Sequence, residues 1–166
     1  MTIHSSHPFA MPEDAARRLR GRLGGTVSLW TAGAGATRAG LTVSSLMVAT
    51  GDPAYVLALV DPDSDLFDAL ETTGRAVVQL LRRPHRELAD MFAGMTPAPG
   101  GVFRQAEFEQ GTWGPVLADA TTWAGVVLES AVEVGWSMQV TCRIEHVVLG
   151  EEPDPLVHRR GRYVMP

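Results

Sequence analysis

The residues with the clearest chemical potential stand close together. In the stretch Thr31-Ala32-Gly33-Ala34-Gly35-Ala36-Thr37-Arg38-Ala39-Gly40-Leu41-Thr42-Val43-Ser44-Ser45, glycines alternate with hydroxyl side chains around a single arginine. Hydroxyls, backbone N–H groups and a guanidinium are all donors to an anion. A dinucleotide loop needs G-x-G-x-x-G between a strand and a helix. Gly33 and Gly35 fit its first two positions, but the third is Arg38, and Leu41–Ser45 are poor helix formers. Asp52 lies near the distance of a ribose-binding acid, yet Pro53 marks a turn there, and no Gly-Lys-Ser of a Walker loop is present. Two readings stay open. One is a hairpin whose glycines serve the turn and whose second strand has a polar outer face. The other is a strand that offers the hydroxyls of Thr42, Ser44 and Ser45 beside exposed backbone N–H groups, with Arg38 at its mouth. Such a surface can hold a phosphate and a planar polar ring without a helix dipole.

The surrounding elements must position that stretch. The chain has 166 residues, 45% of them hydrophobic, which suffices for one domain with a substantial core. Residues 1–10 read as a flexible tail and 11–166 as the domain. Met11-Pro12-Glu13-Asp14 opens a helix with proline and acids in its first turn, and Gly24-Gly25 stops it. Ala15, Leu19 and Leu23 recur every four residues and predict its inward face. Strand patterns follow at Thr26–Thr31, Ala39–Ser45 and Ala54–Val60. Asp63–Thr72 reads as a helix capped by Ser64 or Asp63. Arg75–Leu81 returns to strand, and Arg83–Phe92 to helix. Residues 94–115 hold five glycines and three prolines and read as a loop or flap. Val116-Leu117 is a short strand candidate. Trp123–Val134 and Met138–Leu149 are two long strands hinged at Gly135, and Val157–Tyr163 a last short one. Strands mostly adjoin strands, so the expected fold is mainly β, an antiparallel sheet or small barrel with a few helices.

Charge and composition exclude several classes. The net charge of −5 argues against bulk attraction to nucleic acid. All 14 basic residues are arginine, so an anion site must use arginine, hydroxyls or backbone. No apolar stretch approaches the roughly 20 residues of a membrane helix, and the N-terminus lacks the apolar core of a signal peptide. A lone Cys142 between Val140 and Ile144 reads as a buried strand residue of a reducing, cytoplasmic compartment. The five histidines lack ligand-like spacing, so no metal site is expected. His85 reads as a solvated surface residue. His146 alternates with Ile144 and Val148 and reads as partly buried and hydrogen-bonded.

The order of these motifs resembles the flavin reductase-like proteins with the FMN-binding split-barrel fold, the small reductase components of two-component flavin monooxygenases. The likeness spans about residues 12–164. It is carried by Gly25-Thr26-Val27, Arg38-Ala39-Gly40-Leu41-Thr42-Val43-Ser44-Ser45, Asp52-Pro53 with Val56–Val60, the Ser64 segment, Gly74–Leu81, Glu87–Gly94, Gly114–Leu117 and Pro155-Leu156 with Gly161–Tyr163.

The resemblance implies a six-stranded antiparallel Greek-key split barrel and a homodimer that binds FMN or FAD near its interface. It implies reduction of flavin with NADH or NADPH, and delivery of reduced flavin to a monooxygenase. Carried over by motif, Arg38 and Leu41, Thr42, Val43, Ser44 and Ser45 line the flavin. Asp61, Ser64 and Asp65 lie near the ribityl chain and phosphate. Gln79 and Leu80 sit beside the ring or its partner, and Arg86, Phe92 and Gly94 close the phosphate and adenine side. This chain departs from the pattern at three places. Asp65 stands where many relatives have threonine, Gln79 where they have asparagine, and Gly135-Trp136-Ser137 replaces a Gly-Asp-His segment whose histidine lies near the nicotinamide. Hydride transfer needs no side-chain acid, since the cofactors carry the chemistry, so the missing histidine bears on nicotinamide binding. Trp136 can stack on a planar ring or pack on a dimer partner. A flavin carrier or sensor without reductase activity, and an interaction module without flavin, are the alternatives.

Overall fold

The computed structural model describes residues 12–165; the predicted tail at 1–10 lies outside them. Helix α1 spans Pro12–Leu23, followed by strands β1 (Gly25–Thr26), β2 (Ser28–Ala32), β3 (Ala39–Val43), β4 (Leu46–Ala49) and β5 (Tyr55–Val60). Helix α2 is Asp65–Thr73, β6 is Arg75–Leu80 and α3 is Arg86–Phe92. Then come β7 (Phe108–Gln110), β8 (Pro115–Leu117), β9 (Trp123–Val134), β10 (Ser137–Val148), β11 (Val157–Arg159) and β12 (Arg162–Val164).

One antiparallel sheet of seven strands, in the order β3-β2-β6-β9-β10-β5-β4, organises the molecule. The sheet holds seven strands where the resemblance implied six, because β4, beyond the predicted strand Ala39–Ser45, is an additional one. Ala39–Ser45 ends at Val43, and the chain resumes as β4 after Ser44-Ser45. Because β3 and β4 form opposite edges of the sheet yet are joined by two residues, the sheet must curl until its edges meet. The Leu59 N–H donates to the Ser45 carbonyl at 2.9 Å, which carries the β4–β5 ladder one residue further into the link.

The curl divides the core in two. Inside it, Trp30, Val43, Val56, Val78, Val126, Val140 and Cys142 pack with Leu66, Phe67 and Leu70 of α2. Ser64 caps α2, its Oγ accepting from the Phe67 N–H at 3.2 Å. On the outer face of β2 and β6, Val27, Leu29 and Leu81 pack with Leu88, Ala89 and Phe92 of α3 and with Leu117. β2 is therefore buried on both faces, which its apolar residues at successive positions require. Each fully buried Leu or Phe contributes about 1.5–3 kcal/mol of transfer free energy.

The glycine stretch is a hairpin. β2 pairs with β3 from Ala32–Ala39 to Ser28–Val43, and a 3₁₀ turn at Gly35–Thr37 joins them. Gly33 sits at φ 79°, and a Cβ there would lie 2.5 Å from the Thr37 carbonyl oxygen, so only glycine fits the turn.

Three local expectations are corrected. Leu19 and Leu23 of α1 are 63% and 76% exposed, because α1 touches the body through Gly21 rather than through its apolar stripe. His85 is buried: its Nδ1 accepts from the Arg82 backbone N–H at 3.0 Å, and its Nε2 meets Asp119 Oδ2 at 3.0 Å. His146 is exposed and stacks on Trp113, because the β9–β10 register shifts between Ile144 and His146 and interrupts the alternation.

Candidate functional site

The curled sheet leaves a cleft of about 1390 Å³ along its seam. Its floor is Leu41, Thr42, Val43, Ser44 and Ser45, with Leu57, Leu59 and Val60 of β5 and Asp61 just after it. Trp136 of the β9–β10 turn and Ser137 and Gln139 of β10 also line it. Arginines of α1 and the β11–β12 turn belong to the lining as well. Ligand pockets are ordinarily about 300–1,000 Å³, so this one has room for a large molecule.

The edge position of β3 gives the floor its chemistry. β3 pairs with β2 alone, so backbone groups on its other side have no sheet partner. The side chain of Ser44 is exposed and Ser45 is half-buried. Thr42 Oγ1 donates to the Ala89 carbonyl at 2.6 Å, which ties β3 to α3 and leaves the threonine oxygen able to accept. Trp136 is 77% exposed at the tip of the β9–β10 turn, and no ring is stacked on it among the described residues. Donors, acceptors, apolar walls and an exposed indole together suit a flat molecule with a polar edge and an anionic tail.

Of the residues singled out in the sequence, Leu41, Thr42, Val43, Ser44, Ser45, Asp61 and Trp136 meet in this cleft. The others lie elsewhere. Arg38 stands at the far end of β3, its Nε donating to the Gly35 carbonyl at 3.0 Å and its guanidinium 4.7 Å from the centre of the Phe103 ring. Phe92 is buried edge-on to Phe103 and against Gly40, where a Cβ would lie 2.5 Å from Phe92 Cε1. Arg86 lies over the Tyr163 ring at 5.3 Å, and Gly94 follows α3 on the exposed side of the flap. Ser64 serves the α2 cap and donates to the Asp61 carbonyl at 2.7 Å. Asp65 is exposed in the first turn of α2, where a carboxylate is favoured by the helix dipole. The Leu80 N–H donates to the Thr122 carbonyl at 3.0 Å.

Gln79 also lies outside the cleft lining. It faces the outer side of the sheet and is completely buried. Its Nε2 donates to Thr31 Oγ1 at 3.0 Å, and its Oε1 accepts from the Leu117 N–H at 2.7 Å. The amide therefore clips the flap end to the sheet and has no opening to the cleft.

The groups whose titration the fold displaces also lie outside the cleft. Burial, with a smaller push from Glu129, raises the Cys142 thiol to about 12. Tyr163 is raised by burial and by its hydrogen bond to Asp90. Burial raises Glu152, and the Trp113 N–H bond lowers Glu145. Among the described residues no three His, Cys, Asp or Glu side chains gather where a metal ion could sit, and no helix is long and apolar enough to cross a membrane.

Sequence reasoning missed Leu57, Leu59, Val60 and Gln139, which reach the floor from β5 and β10. Gln139 between Met138 and Val140 was the one available signal, a polar residue within an apolar strand run. It also missed the arginines of α1, although four of them fall within six residues.

Comparison with known proteins agrees with this architecture. The chain is 26% identical over 159 residues to the FMN reductase (NADH) RutF of Variovorax paradoxus strain S110, covering 96% of this chain and 88% of that one. It is 26% identical over 148 residues to the 4-hydroxyphenylacetate 3-monooxygenase reductase component of Pseudomonas aeruginosa, covering 88% and 87%. Among solved structures, flavin reductase PheA2 superposes with a TM-score of 0.83 at 20% identity, covering 94% of this chain and 99% of that one. The Streptomyces globisporus NADH:FAD oxidoreductase SgcE6, solved in complex with NAD and FAD fragments, gives 0.83 at 20% identity, covering 96% and 97%. The flavin reductase like domain model matches residues 20–165, and the chain belongs to that family.

Proposed function

We propose that this protein is an NAD(P)H-dependent flavin reductase, oxidising NADH or NADPH and reducing FMN or FAD. The observation that carries the reading is the seam cleft, in a chain of the flavin reductase like family. Its floor combines an unpaired strand edge with the hydroxyls of Thr42, Ser44 and Ser45. The donor set fits a flavin: edge backbone groups and hydroxyls suit its polar ring edge and ribityl chain, and Leu41, Leu57, Leu59 and Val60 suit the apolar ring faces. Asp61 can accept from ribityl hydroxyls, and Trp136 can stack on a second planar ring. Bound flavin and nicotinamide supply the hydride chemistry. The residues of this chain hold and align them, and alignment alone is worth several kcal/mol of barrier. No side-chain acid is required, in keeping with Ser137 at the place where the family pattern has histidine.

Three finer points belong to the same reading. Residues 11–166 act as one Greek-key split-barrel domain in a homodimer. Exposed Leu19, Leu23, Met47, Val48, Val132 and Val134 supply apolar surface for a second copy. The reduced flavin passes to a partner monooxygenase, as the Pseudomonas relative's name indicates for that protein. The buried, unpaired Cys142 suits a reducing cytoplasm.

Steady-state oxidation of NADH and NADPH, with and without added FMN or FAD, tests the function. Flavin-stimulated turnover is the expected result. Tight flavin binding without nicotinamide oxidation would leave only a carrier, and no response to flavin would overturn the reading entirely.

A further inference from the structure

Alternation along the strands puts much of the cleft on the outer face of the sheet. Val43, Val56, Ala58, Val140 and Cys142 pack into the core inside the curl, so their neighbours Thr42, Leu57 and Gln139 point the other way. Those three all belong to the cleft lining.

On this face Thr42 has its hydroxyl proton already committed. Its Oγ1 lies 2.6 Å from the Ala89 carbonyl oxygen, which has no proton to give, so the threonine proton points at α3. The same carbonyl accepts from the Ala93 N–H at 3.0 Å and is one of the last four of α3, where helix carbonyls carry partial negative charge. Helix and strand are held at a second point on the same side. Phe92 of α3 lies against Gly40, two residues before Thr42, where a Cβ would come 2.5 Å from Phe92 Cε1. A β-branched side chain also has little freedom at χ1. The Thr42 oxygen can therefore accept a further hydrogen bond but cannot donate one. Ser44 differs: it is exposed, and its hydroxyl turns to donate or accept as a ligand requires.

A fixed acceptor distinguishes the two redox states of a flavin. The oxidised ring presents a lone pair at N5, the reduced ring an N–H, and N3 carries an N–H in both. A hydroxyl free to turn serves either state. One that can only accept is matched by the N5 N–H of the reduced ring and left facing a lone pair in the oxidised one. We propose that Thr42 is a specificity-determining residue for the redox state of the flavin, accepting from the reduced ring through an oxygen whose proton is tied to Ala89. Thr42 thereby makes the bound flavin easier to reduce. The inference rests on the flavin reductase reading of the cleft.

FMN is titrated calorimetrically into the full-length wild type, Thr42→Val and Thr42→Ser, once oxidised and once after photoreduction in anaerobic buffer. Valine keeps the shape of threonine and leaves the Ala89 carbonyl bonded to Ala93, and serine restores the hydroxyl. Both redox states are titrated into the same protein, so their affinity ratio is independent of any change in stability. Thr42→Val is expected to lose about tenfold in affinity for reduced FMN and less than about twofold for oxidised FMN. The midpoint potential of its bound FMN is expected to fall by about 30 mV, the two-electron equivalent of that tenfold change. Thr42→Ser is expected to keep the wild-type ratio. Equal losses in both states, or a ratio the same in wild type and Thr42→Val, overturn the inference and leave the flavin reading standing. No binding of FMN by the wild type in either state overturns both.

Discussion

Gln79 and Ser44 are polar residues of one curled sheet in opposite circumstances. Gln79 is sealed between β2, β6 and the flap end, with both halves of its amide bonded inside the protein. Ser44 stands at the seam, exposed, on the link between the two edge strands. The resemblance to flavin reductases nominated both as flavin contacts. The structure separates them by asking where each polar group's partners are. A buried amide with two protein partners acts in the fold; an open hydroxyl on an unpaired edge is available to a ligand. The same contrast divides Thr31 from Ser45, and the sealed Cys142 from the open Trp136.

The contrast predicts different failures on its two sides. The largest effect is expected at Gln79. Gln79→Ala leaves Thr31 Oγ1 and the Leu117 N–H buried without their partner and opens a cavity, costing about 3 kcal/mol. That lowers the Tm by several degrees in a calorimetric scan, with flavin affinity per folded molecule little changed. A Tm unchanged, or a selective loss of flavin binding, would erase the distinction between the two regions.

Cys142 comes next. Its native thiol titrates near 12, above its ordinary value of 9.0. Between those values the unfolded chain loses the proton and the native one keeps it. Stability is therefore lost as pH rises from 9 to 12, by up to about 1.4 kcal/mol per unit. Denaturant melts of wild type and Cys142→Ala across that range should converge as pH rises. Parallel pH curves would show that the thiol is not sealed.

A smaller change is expected at Gly125, where a Cβ would lie 2.2 Å from Trp113 Cδ2. Gly125→Ala displaces that indole from His146 and Glu145 at about 1–3 kcal/mol. Near-ultraviolet circular dichroism reads the loss of the stack.

The smallest stability change is expected on the open side. The double variant Ser44→Ala/Ser45→Ala should stay within about 0.5 kcal/mol of wild type. Its flavin affinity should fall about tenfold, the equivalent of one lost polar contact. Equal flavin affinity in a fluorescence titration would remove the hydroxyls from the site.

Legibility in the sequence follows the range of the interactions. The hairpin at Gly33–Thr37, the Ser64 cap and the alternation that buries Cys142 depend on neighbours within a few residues, and all are readable. The break at Ser44-Ser45 is not, because it arises from curling the whole sheet. The α1 stripe shows amphipathy but not whether anything covers it. His85 and Gln79 are settled by partners 34 to 48 residues away. His146 was misread through a bulge, which no alternation rule can contain. Half the site was legible for the same reason: Leu41–Ser45 is one continuous segment, whereas Leu59, Gln139 and Arg160 reach the cleft only through the fold.

Flavin binding at the seam is the point on which the rest depends. Equilibrium titration of FMN, followed by its fluorescence polarisation, in wild type and in Ser44→Trp tests it most directly, since the substitution fills an exposed position of the cleft without touching either core. Saturable binding by the wild type, weakened at least about tenfold in Ser44→Trp at equal Tm, is the predicted result. Equal binding by the two folded proteins would contradict it and place the flavin elsewhere.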